Sequence, residues 1–399
     1  MTKGVGGSTA DRELWALGPR SGAVAITVDE RNMRLERARE LMADAGVEAL
    51  LVRGGPSLRY FTGVAWGQSE RLVALILPRR GLPIMICPTF ELGTMEASVL
   101  IDAEVRTWEE DENPCALAAQ ALGELGAQAL AIDPELPFVF FDALRRAGPS
   151  LSVISAAPVI DGCRMIKSPA ELALMSHAKA ITLEVHRRAA RTLAPGMTTG
   201  QIKRFIDEAH RRLGADGGST FCAVQFGAAT QYPHGVPGQQ TLSEGDLVLI
   251  DTGCQVQGYN SDITRTYVFG EPGAEHRRIW DIEHEAQAAA FDAVRPGVAC
   301  EAIDAAARRV LEAHGFGPGY RLPGLPHRTG HGIGLSVHEP AYLVRGDHTS
   351  LEPGMCFSNE PMIVVPGAFG IRLEDHFQVT TDGAAWFTEP SPSIDAPFG

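Results

Sequence analysis

The chain has 399 residues, 45% of them apolar, and a formal net charge of −14. That length exceeds what one hydrophobic core usually serves, so two domains are expected. The acidic balance disfavours nucleic acid or an anionic membrane surface as partner, because both demand a basic face.

The seven cysteines are scattered and odd in number, with no C-x-x-C pair, and read as reduced thiols of a cytosolic protein. The first residues hold no apolar h-region and no later run approaches membrane-spanning length, so a soluble, cytoplasmic protein is expected.

In chain order, residues 1 to about 25 are Gly-rich at first, carry no motif, and read as a flexible arm or a dimer strap. Met33, Leu35, Ala38, Leu41 and Met42 recur at helical spacing, and residues 49–52 follow as a strand. Residues 72–77 and 84–87 flank Pro78-Arg-Arg-Gly-Leu-Pro83 as a hairpin. A helix over 116–125, a strand over 129–132, a helix near 138–147 and a strand over 151–154 complete an α/β domain spanning residues 1–160. No set of catalytic residue types clusters there. Gly54-Gly-Pro-Ser-Leu-Arg-Tyr-Phe-Thr-Gly63 lacks the spacing of a phosphate loop and reads as ordinary loop, from which Tyr60 or Trp66 could reach a neighbouring site.

Ser168-Pro-Ala-Glu171 opens the second part as a capping box with proline at the first helical position. Thr198-Thr-Gly-Gln201 repeats the signal, with Ile202, Phe205, Ile206, Ala209 and Leu213 on one face and Gly214 at the end. Two more amphipathic helices are expected over 274–294 and 302–314. The segments between and after them read as strands, giving helices packed on a largely antiparallel sheet.

The chemistry gathers around one hairpin. Residues 247–250 and 263–269 read as paired strands that carry Asp251 and Asp262, eleven positions apart, towards one point. Two buried aspartates repel each other, so a bound cation is their natural counterpart. Downstream lie His331 in Thr329-Gly-His-Gly-Ile-Gly334, Glu360 in Ser358-Asn-Glu-Pro361 and Glu374 in Ile371-Arg-Leu-Glu-Asp375. The glycines beside His331 let the backbone pass close to a neighbour. Taken singly, each of these residues reads as a surface or ion-pair group; together, one imidazole and four carboxylates are enough to hold two divalent metals.

From residue 166 to about 387 the chain resembles the pita-bread metallopeptidases, on Asp251-Thr-Gly with Asp262-Ile-Thr-Arg, Gly330-His-Gly-Ile-Gly, Asn359-Glu-Pro and Arg372-Leu-Glu. The helix at Ser168 and the α/β domain ahead of it resemble the two-domain, proline-specific branch, which holds the prolidases (Xaa-Pro dipeptidases) and Xaa-Pro aminopeptidases. The resemblance implies an α+β chain: a pita-bread (creatinase/aminopeptidase) catalytic domain over 161–399, preceded by a smaller creatinase-like α/β domain over 1–160 that serves substrate gating and dimerisation. It implies that Asp262 and Glu374 bridge two metals, Asp251 chelates one, and His331 and Glu360 complete the other, with Glu360 also the proton acceptor. A metal-bridging hydroxide would then attack the scissile carbonyl while the cations absorb the charge of the tetrahedral intermediate. Four hard oxygen donors with one imidazole suit Mn(II) and accept Zn(II), Co(II) or Fe(II).

Three further histidines fall at family positions. By the same resemblance His234 and His338 would donate to the substrate carbonyl or its oxyanion, and His327 would line the pocket of the residue after the cut. Thr264, two on from Asp262, is expected to orient that carboxylate. Arg372, two before Glu374 and on the same strand face, is expected at the mouth, where it would pair with the α-carboxylate of a dipeptide or balance the surplus of acids. Residues 320–327, rich in Pro and Gly, read as a mobile lid.

The resulting expectation is a cytoplasmic, homodimeric, metal-dependent dipeptidase acting on small Xaa-Pro peptides. The alternatives are an Xaa-Pro aminopeptidase taking longer peptides, a same-fold hydrolase or lyase on a small non-peptide, and a non-catalytic binding module.

Overall fold

The computed structural model describes every residue except Met1, Ser21 and Ala23. It divides into two compact units, Ile26–Arg164 and a second made of Met1–Ala25 with Met165–Gly399.

The smaller unit is built on one mixed sheet of β1 (Ala49–Arg53), β2 (Ala74–Pro78), β3 (Ile84–Pro88), β4 (Glu104–Trp108), β5 (Ala129–Ile132) and β6 (Ser152–Ser155), in the order β4-β3-β2-β1-β5-β6. The β2–β3 hairpin and the β1–β2 pair are antiparallel; the remaining neighbours are parallel. Strands β2 and β3 are buried along their length, as their unbroken apolar runs require. Leu51, Ile76, Ile86 and Leu130 pack with Ala118 and Leu122 of the helix Pro114–Glu124 to form its core. The stretch expected as loop after Gly54 contains a helix, Pro56–Thr62. Proline at its start presets φ, and Gly63 closes it in the left-handed region at φ 85°. On that helix the Tyr60 hydroxyl donates to the Cys163 carbonyl at 2.8 Å.

In the larger unit the helices Pro169–Thr192, Thr199–Leu213, Ala274–Asp292 and Cys300–Ala313 pack on antiparallel strands. Both sequence-read capping boxes form, and Gly214 ends its helix at φ 94°. Strands β7 (Ser219–Phe226), β8 (Leu247–Val256), β9 (Tyr259–Asn260) and β10 (Ile263–Val268) make one sheet, with β8 central. After β11 (Gly330–Gly332), β12 (Glu339–Leu343) and β13 (Cys356–Asn359) come a two-stranded ribbon, β14 (Met362–Val365) with β15 (Phe369–Arg372), then β16 (Asp375–Val379) and β17 (Ala384–Trp386). The second sheet runs β12-β11-β13-β16-β17.

Residues 2–20 differ from the expected arm, and they move the domain division. Gly6 N–H donates to the Ala190 carbonyl at 2.8 Å, Arg20 N–H to Leu213 at 3.0 Å, and buried Glu13 pairs with Arg188 at 2.9 Å. A carboxylate taken out of water needs a cation, and the helix Pro169–Thr192 supplies it. The segment therefore belongs to the larger unit. Among the described residues no helix is long and apolar enough to cross a membrane. All seven cysteines are free and six are buried.

Candidate active site

Strand pairing brings the acids together. Asp251 of β8 lies opposite Thr264 of β10, and Asp262 immediately precedes β10. Thr264 in turn bridges to Glu374, whose N–H donates to the Thr264 carbonyl at 3.1 Å. From the second sheet, β11 brings His331, whose N–H donates to Ser358 Oγ at 2.9 Å, and Glu360 follows the end of β13. The close approach explains the glycines: a Cβ at Gly330 would overlap the Ser358 carbonyl, and one at Gly332 would overlap that of Glu339.

The convergence is tight. Ligand-type atoms of Asp251, Asp262 and Glu374 all lie within 4.8 Å of one another, and so do those of His331, Glu360 and Glu374. His331 Nε2 stands 3.1 Å from Glu360 Oε1 and 3.9 Å from Asp262 Oδ2. Its Nδ1 is 3.0 Å from the Gly332 carbonyl, which can only accept, so in the neutral ring Nε2 keeps its lone pair. Asp251 Oδ1, Asp262 Oδ1 and Glu374 Oε1 are buried without a hydrogen-bond partner. Buried carboxylate oxygens are rarely left so, and three beside an imidazole nitrogen turned towards them form a donor set suited to divalent cations.

Electrostatics agree. Burial raises Asp262 well above the ordinary carboxylate range, and Glu374, Asp251 and Glu360 add to it. Glu374 is raised by burial and by Glu360 and Asp251, against the opposing pull of Arg372 and Thr264. For Glu360 burial also acts upwards, but in the metal-free site a proton shared with His331 Nε2 at 3.1 Å, with the charges of His331, His327 and Arg372, outweighs it and leaves the carboxyl low. Both carboxyls are pushed upward because the cluster holds too little positive charge for its acids.

A cavity of about 770 Å³ opens onto this cluster, and His234, His327, His338 and Arg372 line it with the five ligand-type residues. The His338 ring lies 4.0 Å from that of His331, and burial lowers His338 to about 4, so it is neutral and able to donate. His327 Nδ1 meets the Arg328 carbonyl at 2.7 Å, leaving a buried, unpartnered Nε2.

Thr264 and the Pro/Gly-rich segment differ from expectation, and Arg372 takes one of its two expected roles, away from the mouth. Thr264 orients Glu374, not Asp262: its hydroxyl donates to Glu374 Oε2 at 2.7 Å because the two are cross-strand partners. Arg372 is buried in the wall, and its guanidinium meets Asp251 Oδ2 at 2.5 Å, Thr264 Oγ1 at 3.0 Å and the Pro233 carbonyl at 3.1 Å. That geometry is charge balance, not an open anion receptor. The segment expected as a lid is tied down: Gly324 exchanges backbone hydrogen bonds with Val364 of β14, at 3.1 and 3.0 Å.

Two residues at the site escaped the sequence reading. Arg328 lines the cavity with its guanidinium 4.4 Å over the Tyr342 ring and makes no ion pair among the described residues. It lies between two histidines already singled out, a signal that was available. His376, buried behind Glu374 with Nε2 4.0 Å from Oε1, follows it at strand period.

Comparison with known proteins gives two domain matches, metallopeptidase family M24 over residues 173–381 and the creatinase/prolidase N-terminal domain over residues 34–166. The probable dipeptidase PepE of Mycobacterium tuberculosis is 39% identical over 357 residues, covering 88% of this chain and 92% of that one. The crystal structure of dipeptidase PepE from Mycobacterium ulcerans superposes with a TM-score of 0.84 at 37% identity, covering 92% of this chain and 97% of that one. The crystal structure of a prolidase from Thermococcus sibiricus gives the same TM-score at 31% identity, covering 92% and 98%.

Proposed function

The chain belongs to metallopeptidase family M24, with a creatinase/prolidase N-terminal domain ahead of a pita-bread domain, and from that membership we propose that it is a dinuclear-metal dipeptidase that hydrolyses Xaa-Pro peptides. The observation that carries this reading is the set of three buried, partnerless carboxylate oxygens beside the Nε2 of His331, at the floor of a peptide-sized cavity. In this reading Asp251, Asp262, His331, Glu360 and Glu374 would hold the cations. Mn(II) suits that oxygen-rich set first. Divalent cations bound there supply a polarised carbonyl and water of lowered pKa.

The remaining steps fall to side chains. Glu360, held ionised beside His331, takes the proton of the attacking water and passes it to the leaving nitrogen. His338 and His234 donate to the carbonyl oxygen as it gains charge. Thr264 and Arg372 fix the Glu374 and Asp251 carboxylates. Of the two arginines that line the cavity, Arg328 is the one without an ion pair among the described residues, so Arg328 is the group for the free α-carboxylate of a dipeptide.

Proline at the second position is supported by the likeness to a prolidase and by a histidine-lined wall in which burial holds His327 below its usual range. The test is a cleavage panel with Mn(II): Ala-Pro, Ala-Pro-Ala and Ala-Ala, each repeated with chelator. Metal-dependent cleavage of Ala-Pro alone is expected. Equal cleavage of the tripeptide moves the assignment to an aminopeptidase, and two bound metals with no cleavage sinks the peptidase reading.

A further inference from the structure

The helix Cys300–Ala313 carries a buried pair, Asp304 and Arg308, that makes no contact with the acid cluster yet governs one wall of the cavity. Arg308 Nε donates to Asp304 Oδ2 at 2.8 Å, one turn back on the same helix face. Its two terminal nitrogens reach three main-chain carbonyls: Gly319 at 2.7 Å, Leu325 at 3.3 Å and His327 at 2.6 Å. The guanidinium plane lies 4.4 Å over the Tyr320 ring. The other oxygen of Asp304 accepts from Thr329 twice, from N–H at 3.1 Å and Oγ1 at 2.7 Å. Asp304 is 1% exposed and Arg308 11%, so these charge-assisted bonds are shielded from water.

The pattern has a direction. A loop that turns inward leaves carbonyls needing donors, and one planar guanidinium with five N–H groups answers three of them at once. Backbone on both sides of Arg328 is therefore fixed from the helix: His327 by Arg308, Thr329 by Asp304. The Nδ1 bond of His327 to the Arg328 carbonyl then fixes its ring.

Resting on the peptide-site reading above, we propose that Asp304 and Arg308 are positioning residues that set how the cavity grips the second residue and free carboxylate of its peptide. Asp304 touches one ligand residue through the main chain, since the Thr329 carbonyl accepts from Glu360 N–H at 2.8 Å; the carbonyls that Arg308 holds, at Gly319, Leu325 and His327, carry no ligand residue, so Arg308 acts on substrate binding and leaves cation binding alone.

The experiment compares wild type with Arg308→Lys, which keeps the charge but cannot bridge three carbonyls, and with Asp304→Asn, which keeps a hydrogen-bonding group beside Thr329. For Mn(II)-loaded enzyme on Ala-Pro, Arg308→Lys is expected to raise KM about tenfold with kcat within about twofold, the signature of lost uniform binding. Bound Mn(II) per chain stays at the wild-type value, and amide exchange quickens over residues 325–329. Asp304→Asn gives a smaller KM rise in the same direction and serves where Arg308→Lys does not fold. An unchanged KM in a folded variant, or loss of bound Mn(II) equal to the loss of activity, overturns the inference and leaves the peptidase assignment standing. Wild type that binds Mn(II) and cleaves no peptide overturns both.

Discussion

Arg372 neutralises one oxygen of Asp251, at 2.5 Å, while the second carboxylate oxygen of the same residue is buried with no partner. The cluster thus holds one fixed cation for four acids. The remaining negative charge is what a divalent ion would meet.

Removing that fixed cation leaves Asp251 buried and uncompensated. Arg372→Met should lower the stability of the metal-free protein by about 3–5 kcal/mol, in the range for breaking a buried pair from one side. Added Mn(II) should recover part of the loss. Urea unfolding with and without metal measures both.

The two raised carboxyls give a pH signature. Asp262 and Glu374 have folded pKa values above their unfolded ones, so their contribution is fully present below the unfolded values and is lost as pH rises through the folded values. The metal-free protein should therefore weaken from mildly acidic towards alkaline pH, and Glu374→Gln should flatten that dependence. Mn(II) added near neutrality in weak buffer should release protons, and its affinity should fall as pH falls. Calorimetry in two buffers of different ionisation enthalpy checks the release; none would refute the assignment of these acids as ligands.

Glu360→Gln keeps the shape and removes the proton acceptor. The expected loss in kcat is about 10²–10⁴-fold, with weaker Mn(II) binding because a ligand oxygen is also changed. Metal content measured beside turnover separates the two effects.

Arg328→Gln should raise KM for Ala-Pro about 10–100-fold, as expected for a charged hydrogen bond of about 1.5–3 kcal/mol. Alanyl-prolinamide, which has no carboxylate, should be cleaved by the variant and by wild type at similar rates. Equal losses on both peptides would remove Arg328 from that role.

The backbone was legible where local chemistry is strong. Ser168 with Glu171, Thr198 with Gln201, and Gly214 mark helix ends through bonds made within a few residues, and the structure forms them there. The four acids and one imidazole of the candidate metal cluster were legible as a set because each sits in a motif. What escaped depends on partners far along the chain. Thr264 follows its cross-strand neighbour Glu374, 110 positions away. Arg372 follows Asp251, 121 positions away, and Arg328 is defined by the ring of Tyr342 from the adjoining strand. The helix after Gly54 was hidden by its Pro and Gly, which read as loop when the residues between them are few.

The placement of the first residues bears on how the chain is made. Thr2 N–H reaches the Gly270 carbonyl at 2.8 Å, and Lys3 N–H reaches that of Asp395, also at 2.8 Å. During synthesis the first-made residues of the larger unit must therefore wait for some of the last. The stretch Ile26–Arg164 has its own core and can form while the ribosome is still working. The metal-ligand cluster can close only late, after Glu374 has emerged, so an unfinished chain carries the smaller unit folded and the acids of the cluster still in water.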